Sequence, residues 1–390
     1  MQRFFTLLHL VYVGLGFSTN KVVLSSGGAA FFLYLFYLNQ ITMSKRLLLA
    51  IISLLLFSSS IYSQQPRIVI LATGGTIAGA APSATGASYR PGVISIENIL
   101  KSVPDLNKIC DLKGIQVCNI SSQNITEEIW IQLACKIDSL FSNNLCDGIV
   151  ITHGTDTMEE TAYFLNLVVK HKNPIVLTGS MRPSTSLSAD GPFNLFNAVS
   201  LAADKAAYGK GVMAIMNDYI FSADDLIKSN TVNPDAFESP NFGPMGMMRG
   251  GKPRFYRETL TKNTVETPFE VRKGQKLPKV EILYAYAFAS DIPFNALLES
   301  GVDGIVIAGV GHGNYNRAFD QKIKEAKQKG IIVVRSSRIF RGGVDNEAEE
   351  YDKTIPVSAM KSPQKARILL MLSLMKTNNP DIIQGYFGQF

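Results

Sequence analysis

The residues most able to do chemistry stand directly after short apolar runs. Thr76 closes RIVILATGGT, and the two glycines before it let the backbone turn sharply at a strand end and bring the hydroxyl out of a sheet. An alcohol so placed is a nucleophile when a base lies beside it. The same segment also reads as a phosphate-binding loop or a plain turn, although neither G-x-G-x-x-G nor the Walker spacing is present. A second segment, ITHGTDTMEETAYFL (residues 151–165), carries Thr155 and Asp156. Thr157 and Glu160 have the spacing of a capping box, which predicts a helix start. Thr155 and Asp156 would then lie at its positive end, where a carboxylate, an oxyanion or a substrate amine fits. His153 is expected to be a structural hydrogen-bonding residue, and not a base. Lys228, in DDLIKSN, is a base only where burial or neighbours lower its pKa, and otherwise a solvated surface residue.

The elements that must position these residues follow from the apolar pattern. RIVILATGGT, DGIVITHGTDT, PIVLTGSMRP, GVMAIMND, KVEILYAYA, DGIVIAGVGHG and GIIVVRSSR are continuous apolar runs, most of them separated by amphipathic stretches such as 159–169 and 194–205. That alternation predicts an α/β fold with parallel sheets covered on both faces. Ligands of such sheets bind beyond the carboxyl ends of the strands, where strand order reverses. Thr76, Thr155, Asp156 and Asn314 all follow a run. The pattern lapses between about 242 and 277 into a stretch rich in glycine, proline and charge. We therefore read two domains: a larger N-terminal, parallel-rich catalytic domain at 66–256 and a smaller C-terminal α/β domain at 278–390, joined by a linker at 257–277.

The 390-residue chain has a formal charge of +6, but residues 1–66 hold Arg3, Lys21, Lys45 and Arg46 and no acidic residue, so most of the excess lies there. The remainder has no basic run interleaved with aromatics, which excludes a nucleic-acid partner. From Met43 the chain reads MSKRLLLAIISLLLFSSSIYSQQ: a basic start, an apolar centre and a small-residue end. This is the make-up of a secretory signal peptide, placed at 43–63, and it predicts a periplasmic or secreted protein with no stable membrane association after processing. Residues 1–42 are read as a non-native extension, because the two apolar runs in them are shorter than a spanning helix needs; a membrane anchor is the competing reading. Cys110, Cys118, Cys135 and Cys146 allow three full pairings that the sequence does not rank. Their spacing matches no zinc motif, and with only His153, His171 and His312 beyond the leader, no metal and no cofactor is expected.

Taken together, ATGGTIAG and ITHGTDTMEETAYFL resemble the two signatures of the bacterial L-asparaginases, the family that includes the glutaminase-asparaginases. GSMRPSTSLSADGPFNLFNAV, GVMAIMND, IVVRSSR and PQKAR are also similar to family segments, and the resemblance runs from about Pro66 to Phe390. It implies hydrolysis of L-asparagine to L-aspartate and ammonia, with Thr76 as the nucleophile and Tyr89, in ASYRPG, bonded to its hydroxyl. Thr155, Asp156 and Lys228 match a second constellation in which the lysine activates a threonine. Whether Thr76 forms an acyl-enzyme or Thr155 directs a water stays open at this level. Ser122 and Gln123 match the residues that hold the substrate's α-carboxylate and α-amine, with Asp156 also on the amine. Asn314 and Glu349 match residues that a neighbouring subunit contributes, which implies a homotetramer with sites shared across interfaces.

The sequence departs from the family in three places. His312 stands in GVGHGN where asparagine is more usual, RIFRGGVDNEAEEY is loosely matched so that Glu350 competes with Glu349, and the cysteines do not reproduce a familiar disulfide. Residues 79–92, rich in small residues, form either a loop that closes over substrate or a static surface loop. Glutamine differs from asparagine by one methylene, so secondary glutaminase activity accompanies the reading. The rival functions are a non-catalytic amino-acid-binding protein on the same fold and the asparaginase-like subunit of a tRNA-dependent amidotransferase.

Overall fold

The computed structural model describes residues 65–390 apart from 86–91, 93–94, 102, 348–350 and 352. The leader at 43–63, the extension at 1–42, Tyr89, Glu349 and Glu350 lie outside the described residues.

The larger sheet is built from β1 (Arg67–Gly74), β2 (Asp111–Ile120), β3 (Gly148–Thr152), β4 (Ile175–Thr178), β5 (Val212–Met216) and β6 (Tyr219–Ser222). A separate ribbon of β7 (Ile227–Lys228) and β8 (Phe237–Glu238) follows, and then β9 (Gly246–Arg249) and β10 (Lys252–Phe255) complete the sheet. Its order is β10-β9-β6-β5-β4-β3-β1-β2. The five strands from β2 to β5 run parallel. β6, β9 and β10 are antiparallel additions that the apolar runs did not predict. Asn217 and Asp218, both at positive φ (48° and 68°), join β5 to β6 in a two-residue turn, the conformation that lets a strand fold straight back on its predecessor.

Burial explains why the parallel strands read as unbroken apolar runs. Successive residues of β1 point to opposite faces. Val69 and Leu71 pack with α2 (after α1, Ile96–Lys101; α2 is Glu127–Ser142) and α3 (Met158–Val168). Ile68, Ile70 and Ala72 pack with α4 (Gly191–Ala202) on the other side. β2, at the edge, alternates half-buried and exposed residues instead, which is why its sequence DLKGIQVCNI carries no continuous apolar signal.

The smaller sheet is parallel, in the order β11 (Val280–Tyr284), β12 (Gly304–Gly309), β13 (Ile332–Ser337). α5 (Ile292–Glu299) and α6 (Arg317–Gln328) bury Phe294 and Phe319 against one face. α7 (Pro363–Leu374) covers the other and also packs on α3, so it lies between the two sheets; α8 (Pro380–Phe387) ends the chain. The segment between β10 and β11 has no strand, but it is firmly held. Lys170 Nζ donates to the Thr267 carbonyl at 2.5 Å and hydroxyl at 2.6 Å. Phe269, fully buried, meets the rings of Tyr386 and Phe390 edge-on.

Strand order reverses between β1 and β3: the chain leaves β1 to place β2 on one side and returns to place β3 on the other. At this point Gly75 (φ +80°) lies so close to the next turn that an added Cβ would sit 2.5 Å from Gly154 Cα. Gly209, at φ +76°, has nothing within 4 Å. Gly75→Ala should therefore destabilise the protein clearly more than Gly209→Ala, which carries only the backbone cost of about 1 kcal/mol. Equal losses in urea unfolding would show that the approach at Gly75 is not tight.

Candidate functional site

The site is assembled from strand ends laid backbone to backbone. Gly75 N–H donates to Ile120 O at 3.0 Å, tying the turn after β1 to the end of β2. Gly154 approaches the Ser122 side chain so closely that a Cβ there would be 2.6 Å from Ser122 Oγ. A Cβ on Gly179, after β4, would be 2.5 Å from His153 O. Glycine is required at these contacts because any side chain would force the loops apart. Thr76 opens the 3-10 turn Thr76–Ala78 and Thr155 the 3-10 turn Thr155–Thr157; both residues are buried. Thr76 thus lies next to the turn that carries Thr155 and Asp156.

Lys228 reaches this crevice from the β7–β8 ribbon. Its ammonium donates to Thr155 Oγ1 at 2.9 Å and to Asp156 Oδ1 at 2.6 Å. The Lys228 side chain is mostly covered, whereas that of Asp156 is 59% exposed, so the carboxylate forms the open rim of the group. The structure therefore brings Thr155, Asp156 and Lys228 together.

His153 is fully buried and structural. Its Nδ1 lies 2.7 Å from Gly154 O, a partner that only accepts, so the ring proton is on Nδ1. Nε2 then accepts from the Thr161 hydroxyl at 2.9 Å, which itself accepts from Trp130 Nε1 at 2.8 Å. Burial pushes the His153 pKa down to about 4, so the imidazole is neutral at physiological pH.

Ser122 is buried in the 3-10 turn Ser122–Asn124, and Gln123 beside it is exposed. These residues and Thr157 line a cavity of about 320 Å³ together with residues 277–281, Arg367 and Met371. The capping box expected of Thr157 and Glu160 is not made. Residues 155–157 form a turn of their own, and the Thr157 hydroxyl donates to Ser122 O at 2.8 Å, which ties the Ser122 turn to the Thr155 turn. Asn314 lies in the turn after β12, its backbone paired with Val310. His312, in the same turn, accepts from Asp345 N–H at 3.3 Å. All four cysteines are free thiols; Cys110 and Cys146 are buried, and burial raises each to about 11.

Two charged residues of the site region escaped the sequence reading. Glu159 accepts from Lys228 N–H at 2.7 Å, and Lys365, on α7, lies fully buried beside it. The signal was present, since each is a charge on a helix that is otherwise buried around it, in MEETAYFL and PQKARILLML.

Comparison with known proteins is consistent with this geometry. Residues 67–261 match the family model described as Asparaginase, N-terminal, and residues 279–387 match the Glutaminase/Asparaginase C-terminal domain. L-asparaginase 2 of Escherichia coli is 49% identical over 83% of this chain and 93% of its own. A probable periplasmic L-asparaginase of Haemophilus influenzae is 46% identical over the same share of each. A glutaminase-asparaginase of Pseudomonas fluorescens is 43% identical over 83% of this chain and 90% of that one. The crystal structure of a probable cytoplasmic L-asparaginase from Campylobacter jejuni superposes with a TM-score of 0.78 at 46% identity, covering 84% of this chain and all of that one.

The His153 network has a measurable consequence. The folded pKa, about 4, lies below the ordinary value near 6.5, so the unfolded chain takes up a proton that the native protein refuses. The stability this contributes is present above pH 6.5 and is lost as pH falls toward 4. Relative to the native protein, His153→Gln should be most destabilised at pH 7, and the gap should narrow by on the order of 2–3 kcal/mol at pH 4.5 in denaturant titrations. A gap independent of pH would contradict a buried neutral imidazole.

Proposed function

This chain belongs to the L-asparaginase family and hydrolyses L-asparagine to L-aspartate and ammonia, and from that premise we propose that Thr76 is the nucleophile of a two-threonine site completed by Thr155, Asp156 and Lys228. The observation that carries this reading is the Lys228 ammonium, 2.9 Å from Thr155 Oγ1 and 2.6 Å from Asp156 Oδ1, on the turn that touches Gly75.

Thr76 Oγ attacks the side-chain amide carbon, and as the new C–O bond forms its proton passes through the polar groups of the site to the amide nitrogen, whose bond to carbon breaks. The nitrogen so protonated leaves as ammonia, and water then cleaves the Thr76 ester to give aspartate and restore the hydroxyl. Lys228, bonded to Thr155 Oγ1 and Asp156 Oδ1, activates Thr155, and Asp156 holds the lysine in place. Ser122, Gln123 and Asp156 hold the α-carboxylate and α-amine; fixing both spends binding energy on orienting the amide, which makes a weak alcohol nucleophile competent. Tyr89 is assigned the hydrogen bond to the Thr76 hydroxyl. Asn314 and Glu349 act from a neighbouring subunit of a homotetramer. The protein is exported to the periplasm, a reading supported by the composition of 43–63 and the name of the Haemophilus relative. Among the described residues no helix is long and apolar enough to cross a membrane. No observation favours a silent amino-acid-binding protein.

Thr76→Ala should lower kcat for ammonia release from L-asparagine by about 10³-fold or more while leaving the unfolding midpoint near that of the native protein. Unchanged release would falsify the assignment of Thr76. Glutamine is the weaker substrate: the extra methylene should cost about 10–200-fold in kcat/KM. Parity of the two amides would show that the pocket does not measure side-chain length.

A further inference from the structure

Lys228 stands on a ribbon that is too small to hold itself. β7 and β8 contribute two residues each, Ile227 opposite Glu238 and Lys228 opposite Phe237, with two further backbone bonds, from the N–H groups of Ser229 and Asn230 to Ala236 O. An isolated ribbon of this size is not stable. Its position is therefore set by what grips the chain just before and behind it.

Three groups do so. Asp225 accepts from the backbone N–H groups of Asn241 and Phe242 at 3.1 and 2.8 Å, closing the far end of the ribbon. Glu159, on α3, accepts the N–H of Lys228 itself at 2.7 Å. Lys365, on α7 of the C-terminal half, donates its ammonium to the carbonyls of Asp224 at 3.0 Å and Leu226 at 2.6 Å, four and two residues before Lys228. The Lys365 side chain is 1% exposed, and Glu159 is 7% exposed.

Resting on the role given to Lys228 above, we infer that Lys365 and Glu159 are positioning residues for catalysis: a buried ammonium from α7 and a buried carboxylate from α3 clamp the main chain from Asp224 to Lys228, so that the Lys228 amine meets Thr155 and Asp156. Neither residue touches substrate in this scheme. Both act through Lys228.

The electrostatics of the pair fit a built device. Burial lowers the Lys365 pKa to about 8, opposed by Glu159, Asp224 and Asp225 and reinforced by Lys361. Burial also raises the Glu159 carboxyl, with Lys365 and the Lys228 backbone and side chain opposing. Each charge thus lessens the cost of burying the other, and neither is tolerable alone. Hydrophobic residues of similar volume would serve packing at least as well. What they would not supply is a pair of donors aimed at two carbonyls and an acceptor aimed at one N–H. The charges facing Lys228 are Asp156 from the turn after β3 and Glu159 from α3; those facing Lys365 are Glu159, Asp224, Asp225 and Lys361.

A double-mutant cycle tests the inference on the full-length protein with L-asparagine, reading ammonia release at high enzyme concentration. Lys365→Met should lower kcat by about 10–100-fold with KM within about threefold of native, because substrate capture by Ser122, Gln123 and Asp156 is untouched. In a Lys228→Met background the same substitution should cost nothing further, since the residue it acts through is already gone. A full multiplicative loss in that background, a KM rising in step with the fall in kcat, or native kcat in Lys365→Met each overturns the inference. If Lys365→Met does not fold, Glu159→Gln carries the same cycle, as it keeps an oxygen for the Lys228 N–H and removes the charge beside Lys365. Native kcat in Lys228→Met by itself would sink the reading of Lys228, an outcome distinct from failure of the clamp.

Discussion

The closeness of backbone to backbone at the carboxyl ends of β1, β2, β3 and β4 is the constraint on which the rest depends. A Cβ at Gly74, Gly75, Gly154 or Gly179 would fall at 2.5–2.6 Å from an atom of the neighbouring turn or side chain. Glycine at these four positions lets the turns after four strands share one small volume, and Thr76 and Thr155 are buried beside it. A sheet of the same topology with side chains at these positions would keep its strands and lose its crevice.

The polar interior is arranged to support this meeting of loops, and to keep some groups out of the chemistry. His153 stands in the middle of it, yet both ring nitrogens are committed, one to Gly154 O and one to Thr161. Its work is to lock the turn after β3 in place from inside. Thr157 does the same from the other side by bonding to Ser122 O. The charges that face the crevice are those of Lys228 and Asp156, which meet at its partly open rim.

Much of this was legible in the sequence, for a physical reason. Strands buried on both faces must be apolar throughout, so β1, β3, β4, β5, β11, β12 and β13 announce themselves, and the turn chemistry that follows each is then easy to locate. Strands with one wet face do not, and β2, β9 and β10 were missed for that reason, whereas β6, buried at Ile220, Phe221 and Ser222, is only four residues long and follows β5 after a two-residue turn. The grouping of Thr155, Asp156 and Lys228 was read through resemblance, since no spacing in the sequence brings Lys228 to Thr155. Thr157 was misread because a capping box is a local rule, and here a distant carbonyl competes for the hydroxyl. Glu159 and Lys365 stand out in the sequence as charges on helices that are otherwise buried around them, but what each one grips depends on what the fold packs beside it.

The path of α7 also gives the molecule a chronology. Thr76, Thr155 and Lys228 all leave the ribosome well before Lys365, which belongs to the last helices of the chain. A nascent polypeptide can hold Thr76, Thr155, Asp156 and Lys228 and still lack the ammonium that grips the main chain ahead of Lys228. A chain that ends before α7 lacks both the helix that packs on α3 and the ammonium that holds the Asp224 and Leu226 carbonyls, so the main chain ahead of Lys228 is held only once the last helices are in place.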